Sequence, residues 1–474
     1  MIVTGLFLGA LLGIAFQRGR FCVTGFLRDM FTLRSSRGFV ALMVVIAVHA
    51  LGFAALSSAG VIEPTLPELA PVPVILGGIL FGLGIVLAGG CASGTWYRSG
   101  EGLVGSWIAL VMYGLSAAAA KSGILAPLST ELKSHTLPLT SIPESLGVSP
   151  WPFVVAFAAV TAYLVTRELT KENAQPVQPG SAAADNGQPT STLRRLVSRP
   201  WHLYATALVV GVLGVVAWPL SAATGRNDSL GITTPSANLT RFLVTGDASR
   251  LDWGVLLVLG ILLGSFLSAR ASGEFRVRVP DATQAGRSVI GGVFMGVGAA
   301  WAGGCTVGNG MVQTALWTYQ GWLALAAITV GVFLATKLWL RPRSAQAPRV
   351  TRTQPAAPRE VRVETSAAAP SPSLGFQVAP VGTLLAPQKE KAGVEAVEPG
   401  VHEIDMMGAV CPFPLIEAKE AITRIPVGDE LRIRFDCTQG TDSIPRWAVG
   451  AGHTVTQLVA TGEAAWVIGL RRNR

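Results

Sequence analysis

Nine apolar stretches fall within the first 340 residues, roughly 2–18, 37–60, 72–90, 103–122, 150–166, 202–220, 252–269, 288–304 and 319–340. Each approaches the ~20 residues a helix needs to cross a hydrocarbon core. Buried helices of a large soluble protein are excluded on surface grounds. Half the 474 residues are apolar and 14% are charged, too few to cover so many apolar runs with polar surface. Several stretches are short and carry many of the 54 glycines, so broken or re-entrant helices are expected among them. The first has no basic segment before it and no small-residue cleavage site after it, and reads as a retained span rather than a signal peptide.

Basic residues orient the chain. Arg18, Arg20, Arg28, Arg34 and Arg37, then Arg167, Lys171, Arg194, Arg195 and Arg199, then Arg270, Arg276, Arg278 and Arg287 fall in connections on one side, as do Arg341 and Arg343. Residues 61–71 hold no Lys or Arg, and 305–318 hold no charge. The positive-inside rule puts the N-terminus outside and the C-terminal tail in the cytoplasm of a multi-pass inner-membrane protein. The net charge of +9 is then mostly topology, and nucleic acid is not an expected partner. Membrane lipid is.

Within the spans one element occurs twice. Gly89-Gly90-Cys91-Ala92-Ser93-Gly94 and Gly303-Gly304-Cys305-Thr306-Val307-Gly308 each end an apolar run, entered through Phe81-Gly82-Leu83-Gly84 and Phe294-Met295-Gly296-Val297-Gly298. Gly9-Ala10-Leu11-Leu12-Gly13 likewise finds an echo in Gly260-Ile261-Leu262-Leu263-Gly264. With nine spans the two Gly-Gly-Cys units are inverted relative to each other, as when two half-helices meet from opposite faces around a midplane site. Cys22, in Arg18-Gly19-Arg20-Phe21-Cys22-Val23-Thr24-Gly25, shares the spacing Cys-x-x-Gly. Small thiols filling glycine-rich packing sites would explain one such case better than three. Neutral thiols are soft, polarizable partners that suit a sulfur-bearing anion, whereas phosphate calls for arginine forks or a backbone nest. No apolar run holds the carboxylate or histidine pairs of a proton relay. Lys121 and Lys337 read as snorkelling residues at span ends. Asn309, Gln313 and Thr314 supply polar contacts beyond Cys305, or cap and bridge helices.

Five scattered cysteines argue against a disulfide framework, and five histidines without ligand spacing to them argue against zinc. No metal or cofactor is expected.

The chain divides into a first membrane half (1–169), a linker (170–200), a second membrane half (201–340), a second linker rich in Pro, Ala, Ser, Arg and Glu (341–400) and a compact domain (401–474). The last reads as strand 403–407, helix 412–425, strand 430–436, helix 443–451 and a hairpin of 455–461 with 465–471. That order gives a small α/β two-layer sandwich, βαβαββ. In Cys411-Pro412-Phe413-Pro414, proline at the first helical position puts Cys411 at the helix N-cap, where exposed amides favour a thiolate. Such a thiolate attacks sulfane sulfur and holds it as a persulfide. Cys437 follows the second strand and is either a resolving thiol or an ordinary half-buried cysteine.

Residues 1–340 resemble the YeeE/YedE sulfur-transport family in Gly19-Arg20-Phe21-Cys22-Val23-Thr24-Gly25 and in both Gly-Gly-Cys-x-x-Gly units. The resemblance implies a thiosulfate path lined by Cys22, Cys91 and Cys305 and closed by short loops. The last 70 residues resemble TusA/SirA-type sulfur carriers through Cys-Pro-x-Pro, which implies Cys411 as the persulfide carrier. Cys437 departs from the simplest carriers. Together the resemblances imply an importer of thiosulfate, primarily a transporter, whose anion passes Cys305 first and is met by the tethered carrier. Cytoplasmic sulfurtransferases, glutathione or another thiol then take the sulfur onward. The alternatives are a membrane-anchored sulfurtransferase and a transporter of another sulfur or selenium species.

Overall fold

The computed structural model describes residues 2–173, 199–339, 395–398, 400–409, 412–462 and 464–474. Most of both expected linkers, and Cys411 itself, lie outside the described residues.

The membrane part contains α1 (Val3–Arg18), α2 (Val23–Thr32), α3 (Arg37–Ser58), α4 (Pro71–Leu87), α5 (Ala92–Gly100), α6 (Val104–Ser122), α7 (Ala126–Ser134), α8 (Ile142–Ser145) and α9 (Trp151–Asn173). After the linker come α10 (Leu203–Ala222), α11 (Thr233–Thr245), α12 (Trp253–Ala271), α13 (Ala282–Trp301), a π-helical turn (Gly308–Gln313) and α14 (Tyr319–Trp339). Polar caps begin two of the long helices: the Asp252 carboxylate accepts from the Val255 amide at 2.8 Å, and Asp281 from Gln284 at 2.9 Å.

Among the described residues, eight helical segments are long and apolar enough to cross a membrane, including Val3–Thr32 and Pro71–Gly100, each broken at a cysteine. Helix α13, expected as a ninth span, falls short of that apolarity. It starts earlier than its apolar run, with Gln284 and Arg287 in its first turns, and packs between α4 and α6. Its small residues serve close packing there.

Glycines set how the helices cross. A Cβ on Gly9 would lie 2.0 Å from the Leu257 carbonyl oxygen, and one on Gly264 equally close to that of Ala10. The repeated Gly-x-x-x-Gly segments thus pack on each other, with α1 and α12 running the same way: Gly5, Gly9 and Gly13 meet Trp253, Leu257 and Ile261 in turn. On α4 and α13 the order reverses. Gly77 meets Gly298, and Gly84 meets Gly291, so these two helices are antiparallel.

The C-terminal domain contains β1 (Glu395–Glu398), β2 (Val401–Met406), α15 (Phe413–Arg424), β3 (Glu430–Phe435), α16 (Gly440–Gly450), β4 (Thr454–Gly462) and β5 (Ala465–Arg471). The sheet order is β1-β2-β3-β5-β4, with β2 and β3 parallel and the other pairs antiparallel. Leu431, Ile433 and Phe435 alternate into the core against Leu415, Ala418, Ile422 and Ile444 of the two helices. Two details differ from expectation. Strand β1 is built from the end of the expected linker, adding an edge partner to β2. Helix α15 begins at Phe413 with Pro412 in the cap position, one residue beyond Cys411.

This domain sits on the arginine-bearing end of the membrane part. Arg20 donates to the Thr441 hydroxyl, and Lys419 Nζ to the Thr32 carbonyl at 2.9 Å. The Ala464 amide bonds to Gly273 O at 3.2 Å, and the Arg287 guanidinium lies 5.4 Å from the Phe413 ring centroid. Arg446 pairs with Glu172 at 3.5 Å and Arg37 with Asp442 at 3.8 Å. Much of the expected basic side is therefore a docking face.

Candidate functional site

The three membrane cysteines are free thiols, each at most 1% exposed. Each lies at a break between helical segments. Cys22 is extended and caps α2, after a loop in which Arg20 takes a positive φ of 49°. Phe21 anchors that loop, packed edge-on to Phe26 and against Phe16.

Cys91 caps α5, and Cys305 precedes the π-helical turn. The two Gly-Gly-Cys units share a backbone solution. Their first glycines, Gly89 and Gly303, have φ of 73° and 80°, a region open to glycine and costly for other residues. Each turn is also tied by a side chain from further along. Arg98 donates to the Gly89 carbonyl, while Asn309 Nδ2 donates to Ala302 O (2.7 Å) and Gly304 O (3.1 Å). Gln320 completes the second tie through Asn309 Oδ1 at 3.1 Å. Asn309 is thus a bridging residue. Thr314 bonds back to Gly310 O in its own turn, and Gln313 is half-buried.

Cys22 and Cys91 are brought together. Their thiols are within hydrogen-bonding reach of each other, and a Cβ on Gly94 would lie 3.3 Å from both Sγ atoms. Ser93 Oγ is 3.4 Å from Cys91 Sγ. Because α4 and α13 are antiparallel, the units that follow them leave Cys91 and Cys305 toward opposite ends of the helix pair. Tyr113 of α6, fully buried, stands within electrostatic reach of both and donates to Thr233 Oγ1 at 2.8 Å.

Beyond Cys22 and Cys91, toward the C-terminal domain, is a cavity between the two parts of the chain. Arg98, Glu101, Arg278 and Ser288 line it from the membrane part, and Asp436, Cys437 and Gln439 from the docked domain. A short parallel bridge fixes its wall: the Arg278 amide donates to Gly102 O at 2.9 Å and the Val104 amide to Arg278 O at 3.0 Å. Burial is the largest influence on Glu101 and pushes its carboxyl up to about 7, against the opposing pull of Arg278. Cys437, expected as a free resolving or half-buried thiol, is instead buried and disulfide-bonded. Lys121 donates to Thr234 Oγ1 at 2.5 Å, and Lys337 lies 5.7 Å from the Phe333 ring centroid.

Sequence reasoning missed Arg98, Glu101 and Tyr113. The first two had a signal, since Ser93–Glu101 is a polar run between apolar spans and every residue of it is buried. Tyr113 lies in an ordinary apolar run that offered none.

A bundle of membrane-length helices broken at paired glycines, with a small α/β domain seated on one end, defines a polytopic membrane transporter with an accessory domain. The Sulphur transport family profile matches residues 18–334 and the Sulfurtransferase TusA profile residues 402–472. The chain belongs to the sulphur-transport family, of the YeeE/YedE type, fused to a TusA-type sulfur-carrier domain. It is 46% identical over 344 residues to the thiosulfate transporter TsuA of Escherichia coli (strain K12), covering 72% of this chain and 96% of that relative. Identity to the thiosulfate transporter TsuA of Spirochaeta thermophila is 34% over 355 residues, 72% of this chain and 99% of the relative. The last part is 49% identical over 72 residues to TsuB of Escherichia coli (strain K12), 15% of this chain and 96% of that protein.

Proposed function

We propose that the chain carries thiosulfate across the inner membrane past Cys305, Cys91 and Cys22, and presents it to the docked carrier domain, where Cys411 takes up sulfur as a persulfide. The N-terminus is outside and the carrier domain cytoplasmic in this reading. The observation that carries it is the meeting of Cys22 and Cys91 beside Gly94, at the end of the bundle where the carrier sits. Buried thiols offer soft contacts to the outer sulfur without the repulsion that carboxylates would bring. The names of the full-length relatives supply the substrate.

In the transfer, two cytoplasmic thiols first reduce the disulfide at Cys437 by exchange, leaving as a disulfide of their own. The Cys411 thiolate then attacks the outer sulfur, forms a sulfur–sulfur bond and displaces sulfite with the electron pair of the broken bond. A cytoplasmic thiol, such as glutathione or that of a sulfurtransferase, then takes the sulfur from the persulfide.

The test is uptake of radiolabelled thiosulfate into proteoliposomes of the full chain, with unlabelled anions as competitors. Unlabelled thiosulfate should suppress uptake, and equimolar sulfate, which lacks the soft sulfur, should leave it intact. Equal suppression by sulfate would contradict the thiol path.

A further inference from the structure

We propose that the cavity between the membrane helices and the carrier domain is a second anion site, which holds the oxyanion end of a divalent sulfur anion against Arg98, Arg278, Ser288 and Gln439. The identity of the anion rests on the function proposed above; the site itself rests on polar groups that the fold buries and leaves underused.

Arg278 has a side chain only 10% exposed. A guanidinium offers five donors in a planar fork. Among the described residues its side-chain hydrogen bond is a long one, 3.4 Å to Glu274 O, and its Nε has no hydrogen-bond partner, with Asp436 Oδ2 4.0 Å away. Burying so under-satisfied a charge is costly unless something else meets it. Ser288, 0% exposed, has an unpartnered Oγ on the same cavity. From the carrier side Gln439 brings an amide to the cavity wall, whose Nε2 is the group that can donate to an oxyanion.

Four groups of charge face this space. Arg98 and Arg278 are cationic. Asp436 accepts from the Gly408 amide at 2.9 Å, and Glu101 is poised to take up a proton. Glu274, the nearest further carboxylate, is already engaged by Arg18, Gln17 and Arg20. A tetrahedral oxyanion would give the arginine fork and the serine hydroxyl the acceptors they lack, in charge-assisted hydrogen bonds. Walls from both domains make the site one that forms only when the carrier is docked.

Sulfate, which has the oxyanion shape without transferable sulfur, is the probe. Its binding to purified full chain is measured by calorimetry at constant ionic strength. Saturable binding is expected, weakened about tenfold or more by Arg278→Gln. Ser288→Ala and Gln439→Ala, milder changes from the two walls, should each weaken it about threefold, and they decide the matter if Arg278→Gln fails to fold. Absent binding, or binding indifferent to these changes, overturns the proposal.

Vesicles distinguish the source of the anion. With the carrier domain facing the bath, labelled sulfate should reach the site. With the opposite face exposed, labelled thiosulfate should reach it and sulfate should not. Sulfate binding from the carrier side together with no entry of thiosulfate from the other leaves the cavity site standing and overturns the transport reading instead.

Discussion

Cys22 and Cys91 belong to different helix breaks, yet their sulfurs flank one backbone position: a Cβ on Gly94 would sit 3.3 Å from each. That separation is tighter than ordinary contact, and the missing side chain is what leaves room between the two thiols and α5. Gly94→Ala should fold, because alanine favours a helix by about 1 kcal/mol over glycine. Thiosulfate uptake should fall about tenfold, equivalent to roughly 1.4 kcal/mol. Uptake assays set beside membrane expression check this; wild-type uptake would mean the space between the thiols is not used.

The tie from Arg98 to the Gly89 carbonyl gives a second prediction. Arg98→Ala frees a buried carbonyl and removes a buried cation that touches Tyr97, so the full chain should lose about 1–3 kcal/mol of stability. Arg98→Lys should recover only part of it, since one ammonium cannot serve both Gly89 O and the Tyr97 hydroxyl that Nε reaches at 3.4 Å. Thermal unfolding in detergent measures both variants.

At the crossing of α1 and α12, Gly9→Ala places a methyl where the Leu257 carbonyl stands, and backbone cannot yield as a side-chain tip would. A loss of about 1–3 kcal/mol is expected, while Gly147→Ala, at a turn with open space but positive φ, should cost about 1 kcal/mol through backbone strain alone. Comparing their unfolding temperatures separates crowding from conformation.

Glu101 makes the cavity sensitive to pH. Its carboxyl titrates at about 7 when folded, against an ordinary value of 4.5. The folded state therefore holds the proton more tightly than the unfolded state. Stability from this group is fully present below the unfolded value and is lost as pH rises through the window from there to about 7. Over the whole window the change is on the order of 3 kcal/mol. Glu101→Gln should flatten that slope and make sulfate binding less dependent on pH, read from unfolding curves and titrations at both ends of the window.

Much of the architecture was legible because the membrane makes it so. Long apolar runs have few soluble uses, and eight of the nine expected stretches became membrane-length helices. The exception, α13, shows why composition alone misjudges a span: wedged between α4 and α6, it carries glycine where a lipid-facing helix would carry leucine. The paired glycine segments were legible as repeats, but not as surfaces. Gly9 and Gly260 proved to touch each other, a relation that depends on tertiary packing. In the carrier domain, alternation at Leu431, Ile433 and Phe435 located the central strand, whereas β1 came from residues with no visible periodicity and gains its form by pairing with β2. Cys22, Cys91 and Cys305 stood out because a rare residue recurred in a fixed setting, and the fold brings the first two together. Arg278 escaped because it read as topology, and Arg98 and Glu101 because a polar run between spans read as a loop end; only the docked domain shows them enclosed.

The most direct measurement is uptake of thiosulfate labelled in its outer sulfur, in cells lacking every other sulfate and thiosulfate importer. Wild type is compared with Cys22→Ala, Cys91→Ala and Cys305→Ala at matched membrane expression. The account predicts that each change abolishes or sharply reduces uptake. Wild-type uptake in all three would contradict it, leaving those thiols as packing residues and moving the sulfur chemistry to the carrier domain.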